Sequence, residues 1–453
     1  MENKLEKTLT LFPAVGLAIT MVVGSGLLIL PGLVYQQVGN VAVYAWIISA
    51  IISIPLLMVF STLGAEFPGA GGIAGFMQAI FSRRAGAATE ILILGTLPGG
   101  AALAVTGGKY MAAFMGGGTV TLIFGTFLIL FIGGMVNYFG AKLSGRVQQV
   151  IAVILVVMLS STAIVALLYG DTSQGEGIAP LPRIVDAFPG VGLVFFAFVG
   201  WELMSFTTEE FINPKRDFPL MVAISFIIVS ALYFLIAAAL QIILPSTHPS
   251  LSKAPIAGLL SLVLGDLSGK VISFAGILIA LSNFISVVWA FSRLTFSSAR
   301  EGLLPCLLAV TEIHNKIPRN AVTASISAIF LILLLHFSGI ISQSLMFELA
   351  GISFFMSYIL AVVAFIKKSK KTLSKLFGIL TFLCVSVVFI NFGMKILYPL
   401  SLFIIGYIGS GVYKQGPGSY TIGTKINLKD RETPIETDHC ACNPEQGENK
   451  GIC

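Results

Sequence analysis

Charge is what this 453-residue sequence has least of. Asp, Glu, Lys and Arg make up 11% of it against 56% hydrophobic residues, whereas a soluble domain carries about 25% charged residues. A water-soluble fold of this length could not cover its surface with so few charges. Histidine is equally scarce, with only His248, His314, His336 and His439. No His-Glu-x-x-His run and no paired intramembrane aspartates occur, so no nucleophile, dyad or metal cluster points to a membrane-embedded hydrolase. The chain is not expected to be an enzyme, and no catalytic residue, cofactor or metal site is expected. The five cysteines are Cys306, Cys384, Cys440, Cys442 and Cys453. None falls in a predicted external loop, so no disulfide framework is implied. The Cys440–Cys442 pair beside His439 lacks a second pair at structural-zinc spacing. A continuous polar stripe or charge ring, which a channel would need, is missing as well.

What the sequence has in abundance is long apolar runs, and they fix the class as an all-α polytopic membrane protein. Twelve candidate spans fall near 10–36, 41–65, 86–115, 119–139, 147–169, 185–208, 219–244, 269–299, 318–337, 344–366, 373–392 and 394–413. The first is too long for a signal-peptide apolar region and is expected to be retained as a span. With a cytoplasmic amino terminus, 16 of the 27 Lys and Arg residues lie on the cytoplasmic side and five more in the tail. Arg183, Lys253, Lys270 and Lys395 fall outside, and Lys109 and Arg293 lie within spans. That asymmetry predicts a multi-pass cell-membrane protein with both termini cytoplasmic. It also accounts for the net charge of +6 without nucleic acid as a partner. The polar segment 414–453 reads as a flexible cytoplasmic tail, and 1–413 as the membrane domain.

Two spans are interrupted at their midpoints. Span 1 carries Gly24-Ser25-Gly26, poor helix propagators that permit backbone angles closed to other residues. Close packing of small residues is the other reading of that motif alone. Span 6 carries Phe196-Ala197-Phe198-Val199-Gly200-Trp201-Glu202, a second mid-membrane glycine followed by a carboxyl. Glu at the centre of a span costs about 2.5–3.5 kcal/mol on insertion scales, so Glu202 is expected to face a cavity or a partner. Interruptions at equivalent places in two halves mark the substrate site of an inverted-repeat transporter. This divides the chain into repeats of about 10–169 and 185–366, with two appended helices at about 373–413. Free amides near Gly24, Ser25 and Gly26, beside Val22, suit a carboxylate. Carbonyls near Phe196, Ala197 and Val199, next to Gly200, suit an ammonium.

These motifs resemble the amino acid–polyamine–organocation superfamily, whose members share a five-plus-five inverted-repeat fold with broken helices 1 and 6. Further matches are the linker Glu210-Phe211-Ile212-Asn213-Pro214-Lys215-Arg216-Asp217, the run Ala299-Arg300-Glu301-Gly302, and Ile317-Pro318-Arg319-Asn320-Ala321. Together they cover about Leu11 to Leu400. Phe67-Pro68-Gly69-Ala70-Gly71-Gly72 and Leu97-Pro98-Gly99-Gly100-Ala101-Ala102 look most like bacterial methionine and branched-chain amino-acid exporters. The resemblance implies secondary transport by alternating access, with Phe196 at the place of the family's aromatic gate. Amino-acid or polyamine uptake or exchange, and a non-transporting sensor of the same fold, are the alternatives.

The pocket wall is expected to come from Gly100 on span 3, Phe196 and Phe198 on span 6, and Asn283 and Val287 on span 8. None of these carries a charge to pair with a charged side chain, which favours methionine, leucine, isoleucine or valine. Protons are the expected coupling partner through Glu202. Lys109 reads as an interfacial residue that snorkels, or as one half of an external-gate ion pair with Glu348. Ser282 and Ser286, four apart on span 8, suit either interhelical hydrogen bonds or a sodium site. The sequence is silent on oligomeric state.

Overall fold

Span 1 stops being a helix where its side chains run out. The first helix, α1 (Leu11–Val22), ends at Val23, whose N–H still bonds Ile19 O, and α2 (Gly26–Val38) resumes beyond the glycines. The structure, a computed structural model, describes residues 5–410 apart from 25, 199, 252–254, 266, 313–315 and 391. The expected tail at 414–453, with its cysteines, lies outside the described residues.

The rest of the first half is α3 (Ala42–Glu66), α4 (Gly72–Ile80), α5 (Arg83–Leu94), α6 (Leu97–Met115), α7 (Thr119–Tyr138) and α8 (Ala141–Tyr169). Span 3 is α5 followed by α6, and α4 is a short helix on the connection before it. Span 6 starts as α9 (Phe188–Phe195), tightens to a 3₁₀ turn at Phe196–Phe198, and continues past Gly200 as a 3₁₀ helix over Trp201–Glu210. Sequence reasoning anticipated the break but not this tighter winding after it. There follow α10 (Pro214–Ile243), α11 (Pro255–Leu264), α12 (Leu267–Arg300), α13 (Arg319–Phe337), α14 (Gln343–Lys368), α15 (Thr372–Ile390) and α16 (Leu397–Gly409). Helix α11, in the loop between spans 7 and 8, was not anticipated.

Eight helical stretches among the described residues are long and apolar enough to cross a bilayer, and shorter apolar helices complete the set. Eleven of the twelve spans expected from the sequence are matched by these stretches, with span 1 divided, while span 6 is broken into the short segments around Gly200. Apolar side chains such as Phe131, Val157, Leu331 and Leu380 stand exposed on the outside, which suits lipid rather than water.

Equivalent spans of the two repeats meet face to face: α3 packs on α10, and α6 on α12. Glycine makes the closest approaches. A β-carbon on Gly16 would lie 2.7 Å from Gln149 Cα, and one on Gly133 would lie 2.4 Å from the Phe284 ring. Packing of this kind drives helix association where lipid removes the hydrophobic incentive. The result holds α1 between α8, α10 and α12, so the break at Gly24 is enclosed by helices and lines a cavity. Unwound backbone is tolerated at that depth only under such conditions.

Candidate functional site

The two breaks open onto one cavity. It has a volume of about 150 Å³ and is bounded by α1, the Gly24 break, α6, the Gly200 break, α10, α12 and α14. One water needs roughly 10–15 Å³ on this measure, so the space suits a small organic solute rather than a single water. Val22, Gly24, Gly100, Ala197, Gly200, Glu202, Asn283 and Val287 all line it. Gly26 opens α2 directly beyond the first break. Ser25 and Val199 lie outside the described residues, as does the side chain of Phe196. Phe198 is a correction: it is 2% exposed and packs edge-on against Trp46 and Tyr233, in the core. The 3₁₀ turn rotates it away from the cavity wall.

Gly200 has φ +127°, and a β-carbon there would sit 3.2 Å from Met21 O. Only glycine adopts that conformation readily, and the approach brings the two broken segments into contact. Glu202 follows within the cavity wall, 1% exposed. Its Oε2 accepts the Gly200 N–H at 3.0 Å. Its Oε1 faces the buried hydroxyl of Tyr358 on α14, and neither atom has a further hydrogen-bond partner among the described residues.

Three features of the site were not read from the sequence. Tyr233 on α10 lies with its hydroxyl 3.1 Å from both Val22 O and Ala197 O. One hydroxyl thus serves the carbonyl ends of both broken segments, yet its single hydrogen can fully satisfy only one of them. Gln148 on α8 is fully buried and its amide nitrogen donates to Ser282 O at 2.8 Å and Ser286 Oγ at 2.6 Å. Asn283 in turn donates to Thr20 O at 2.6 Å and Val23 O at 2.9 Å. Glu90 on α5 is 3% exposed, and its Oε2 has no hydrogen-bond partner. A glutamine and a glutamate inside apolar spans were the available signals for two of the three.

The lower end of the 201–210 segment is bolted down by charge. Buried Glu210 pairs with Arg293, also accepts the Trp289 indole N–H at 3.1 Å, and Arg293 stacks 5.2 Å from that ring. Removing one partner of such a buried pair costs about 3–5 kcal/mol. Glu209 receives both terminal nitrogens of Arg300, at 3.0 and 2.9 Å, and the amides of Leu5 and Ala70, each at 3.0 Å. The amino-terminal residue Leu9 makes an isolated parallel β-bridge with Phe211 beside them. One short segment therefore runs from the cavity carboxyl to an ion-pair clamp joining the amino-terminal segment, the connection before α4, and α12.

At the opposite end the alternative reading of Lys109, an ion pair with Glu348, is not formed. Glu348, on the second turn of α14, instead accepts from Lys395, brought to it by the 3₁₀ turn Gly393–Ile396 before α16. Lys109 is exposed near the end of α6, as a snorkelling residue would be.

A bundle of apolar helices with two aligned breaks around a buried carboxyl defines a broken-helix membrane transporter fold. The sequence matches the Amino acid permease family over residues 9–415, and the chain belongs to that family. It is similar to the L-methionine/branched-chain amino acid exporter YjeH of Escherichia coli (strain K12). They are 28% identical over 409 residues, covering 87% of this chain and 94% of that one. It is also similar to the amino acid permease YecA of Bacillus subtilis (strain 168), 26% identical over 415 residues, or 90% of this chain and 96% of the relative. The serine/threonine exchanger SteT of the same organism is 26% identical over 378 residues, covering 80% and 83%.

Proposed function

We propose that this permease carries neutral apolar amino acids of the methionine and branched-chain class outward across the cell membrane, exchanging them for protons through Glu202. The observation that carries the reading is the cavity between the breaks. Its walls at Gly100, Leu103, Val287, Phe291 and Phe354 are apolar, and among the described residues Glu202 is the only formally charged one lining it. A substrate ammonium can displace the Tyr233 hydroxyl from the Ala197 carbonyl, and the amides expected at the Gly24–Gly26 break suit its carboxylate. The backbone thus reads the amino-acid moiety, and the wall selects an uncharged side chain. The similarity to an L-methionine/branched-chain exporter supports the substrate class and the outward direction. The bias of Lys and Arg supports cytoplasmic termini.

Counterflow in proteoliposomes loaded with each of the common amino acids tests the reading. Methionine, leucine, isoleucine and valine should exchange, whereas arginine and putrescine should not. Exchange of arginine or putrescine without leucine or methionine would overturn both the wall argument and the assigned class.

Sodium has no part in the proposed cycle. The oxygens around Ser282, Ser286, Thr20 and Val23 already receive the amide hydrogens of Gln148 and Asn283, and a cation would have to displace both. Replacing external sodium with choline should leave leucine counterflow unchanged within about twofold. A collapse of flux in choline would mean that these amides swing aside for an ion.

A further inference from the structure

A second, larger cavity lies away from the breaks, on the face that carries most of the chain's Lys and Arg. It measures about 510 Å³ and sits where α3 and α14 end and α15 begins. Its composition is two-sided. Met58, Leu63, Phe365, Leu373 and Phe377 give an apolar wall, and Lys368, Lys370 and Lys371 stand over it with one carboxylate, Glu66.

The charges do not cancel. Glu66 is taken by Lys368 at 3.5 Å, and Lys368 also lies 5.0 Å over the Phe67 ring. Lys370 and Lys371 are exposed and form no ion pair among the described residues. They occupy the three-residue link Ser369–Lys371 directly before α15, whose first turn leaves its amide hydrogens without intrahelical acceptors. Two unneutralised ammonium groups and a helix amino terminus therefore converge on one cavity. Next to them Met58 and Leu373 are 51% and 79% exposed, an apolar surface that a free anion would leave bare.

We propose that this cavity binds an anionic phospholipid, the headgroup phosphate between Lys370, Lys371 and the start of α15 and an acyl chain along Met58 and Leu373. Basic pockets between spans on the lysine-rich side hold such headgroups. The apolar wall selects a lipid over inorganic phosphate. An occupant here would join the end of span 10 to span 11, and so steady the appended helices against the repeat that moves.

The test measures binding, so it does not depend on which amino acid is carried. The full-length protein in micelles is titrated with short-chain phosphatidylglycerol, with phosphatidylcholine of the same chains, and with inorganic phosphate, followed by native mass spectrometry and thermal stability. Phosphatidylglycerol should bind about tenfold or more tightly than phosphatidylcholine, and inorganic phosphate should not reproduce its stabilisation. At about fivefold per lysine, the double variant Lys370→Gln/Lys371→Gln should bind it about 30-fold more weakly. Lys370→Arg/Lys371→Arg should retain it, which separates loss of charge from misfolding. The pair Lys215→Gln/Arg216→Gln removes the same charge elsewhere on that face and should change binding by less than about threefold. Equal affinity for the two lipids, equal loss in the Lys215/Arg216 pair, or full replacement by inorganic phosphate would each overturn the proposal.

Discussion

Glu202→Gln should abolish the response of transport to a pH gradient while leaving exchange in place. The carboxyl makes one contact, from the Gly200 N–H to Oε2, and a glutamine oxygen can accept the same bond. Its other oxygen is buried with no partner beyond the Tyr358 hydroxyl, toward which a glutamine NH₂ can point. The fold around Gly200 therefore survives, but the side chain can no longer gain or lose a proton. In proteoliposomes, leucine or methionine accumulation driven by a pH gradient should fall by about tenfold or more, with counterflow at equal pH reduced by no more than about threefold. Glu202→Asp keeps a titratable group at a shorter reach, and should slow transport while preserving its pH response. If Glu202→Gln follows a pH gradient as the parent does, this carboxyl is not the coupling group.

Gly200→Val should reduce counterflow by about one to two orders of magnitude at unchanged membrane insertion, since a disfavoured backbone angle costs about 1–3 kcal/mol. At φ +127°, with Met21 O 3.2 Å from any β-carbon, valine must either rotate the break or push the two segments apart. Gly26→Leu should do comparable damage from the other side by placing a side chain where the carboxylate amides are proposed to lie. Gly116→Ala is the control for strain alone: it too has positive φ, at +66°, but nothing within 4 Å of its β-carbon. Gly116→Ala should transport within about twofold of the parent. Parental flux in a well-inserted Gly200→Val variant would mean that the break does not form the binding site.

The class, most of the spans, both breaks and the burial of Glu202 in a cavity wall were legible in the residues alone. Each of these rests on a local rule. Bilayer thickness sets span length, glycine marks where a helix can stop, and a carboxyl at mid-span must face something other than lipid. Gly100, Asn283 and Val287 were placed in the wall with the help of family resemblance as well as residue type. Tertiary structure alone decided which polar groups meet. Gln148 meets Ser282 and Ser286, Tyr233 the carbonyls of both breaks, Lys395 rather than Lys109 pairs with Glu348, and Phe198 lies in the core. The reason is physical. Periodicity identifies the buried face of a helix only when its other face is polar, and a membrane helix is apolar all round. Its rotation, and so the direction of every side chain upon it, is set by which neighbours its glycines let approach.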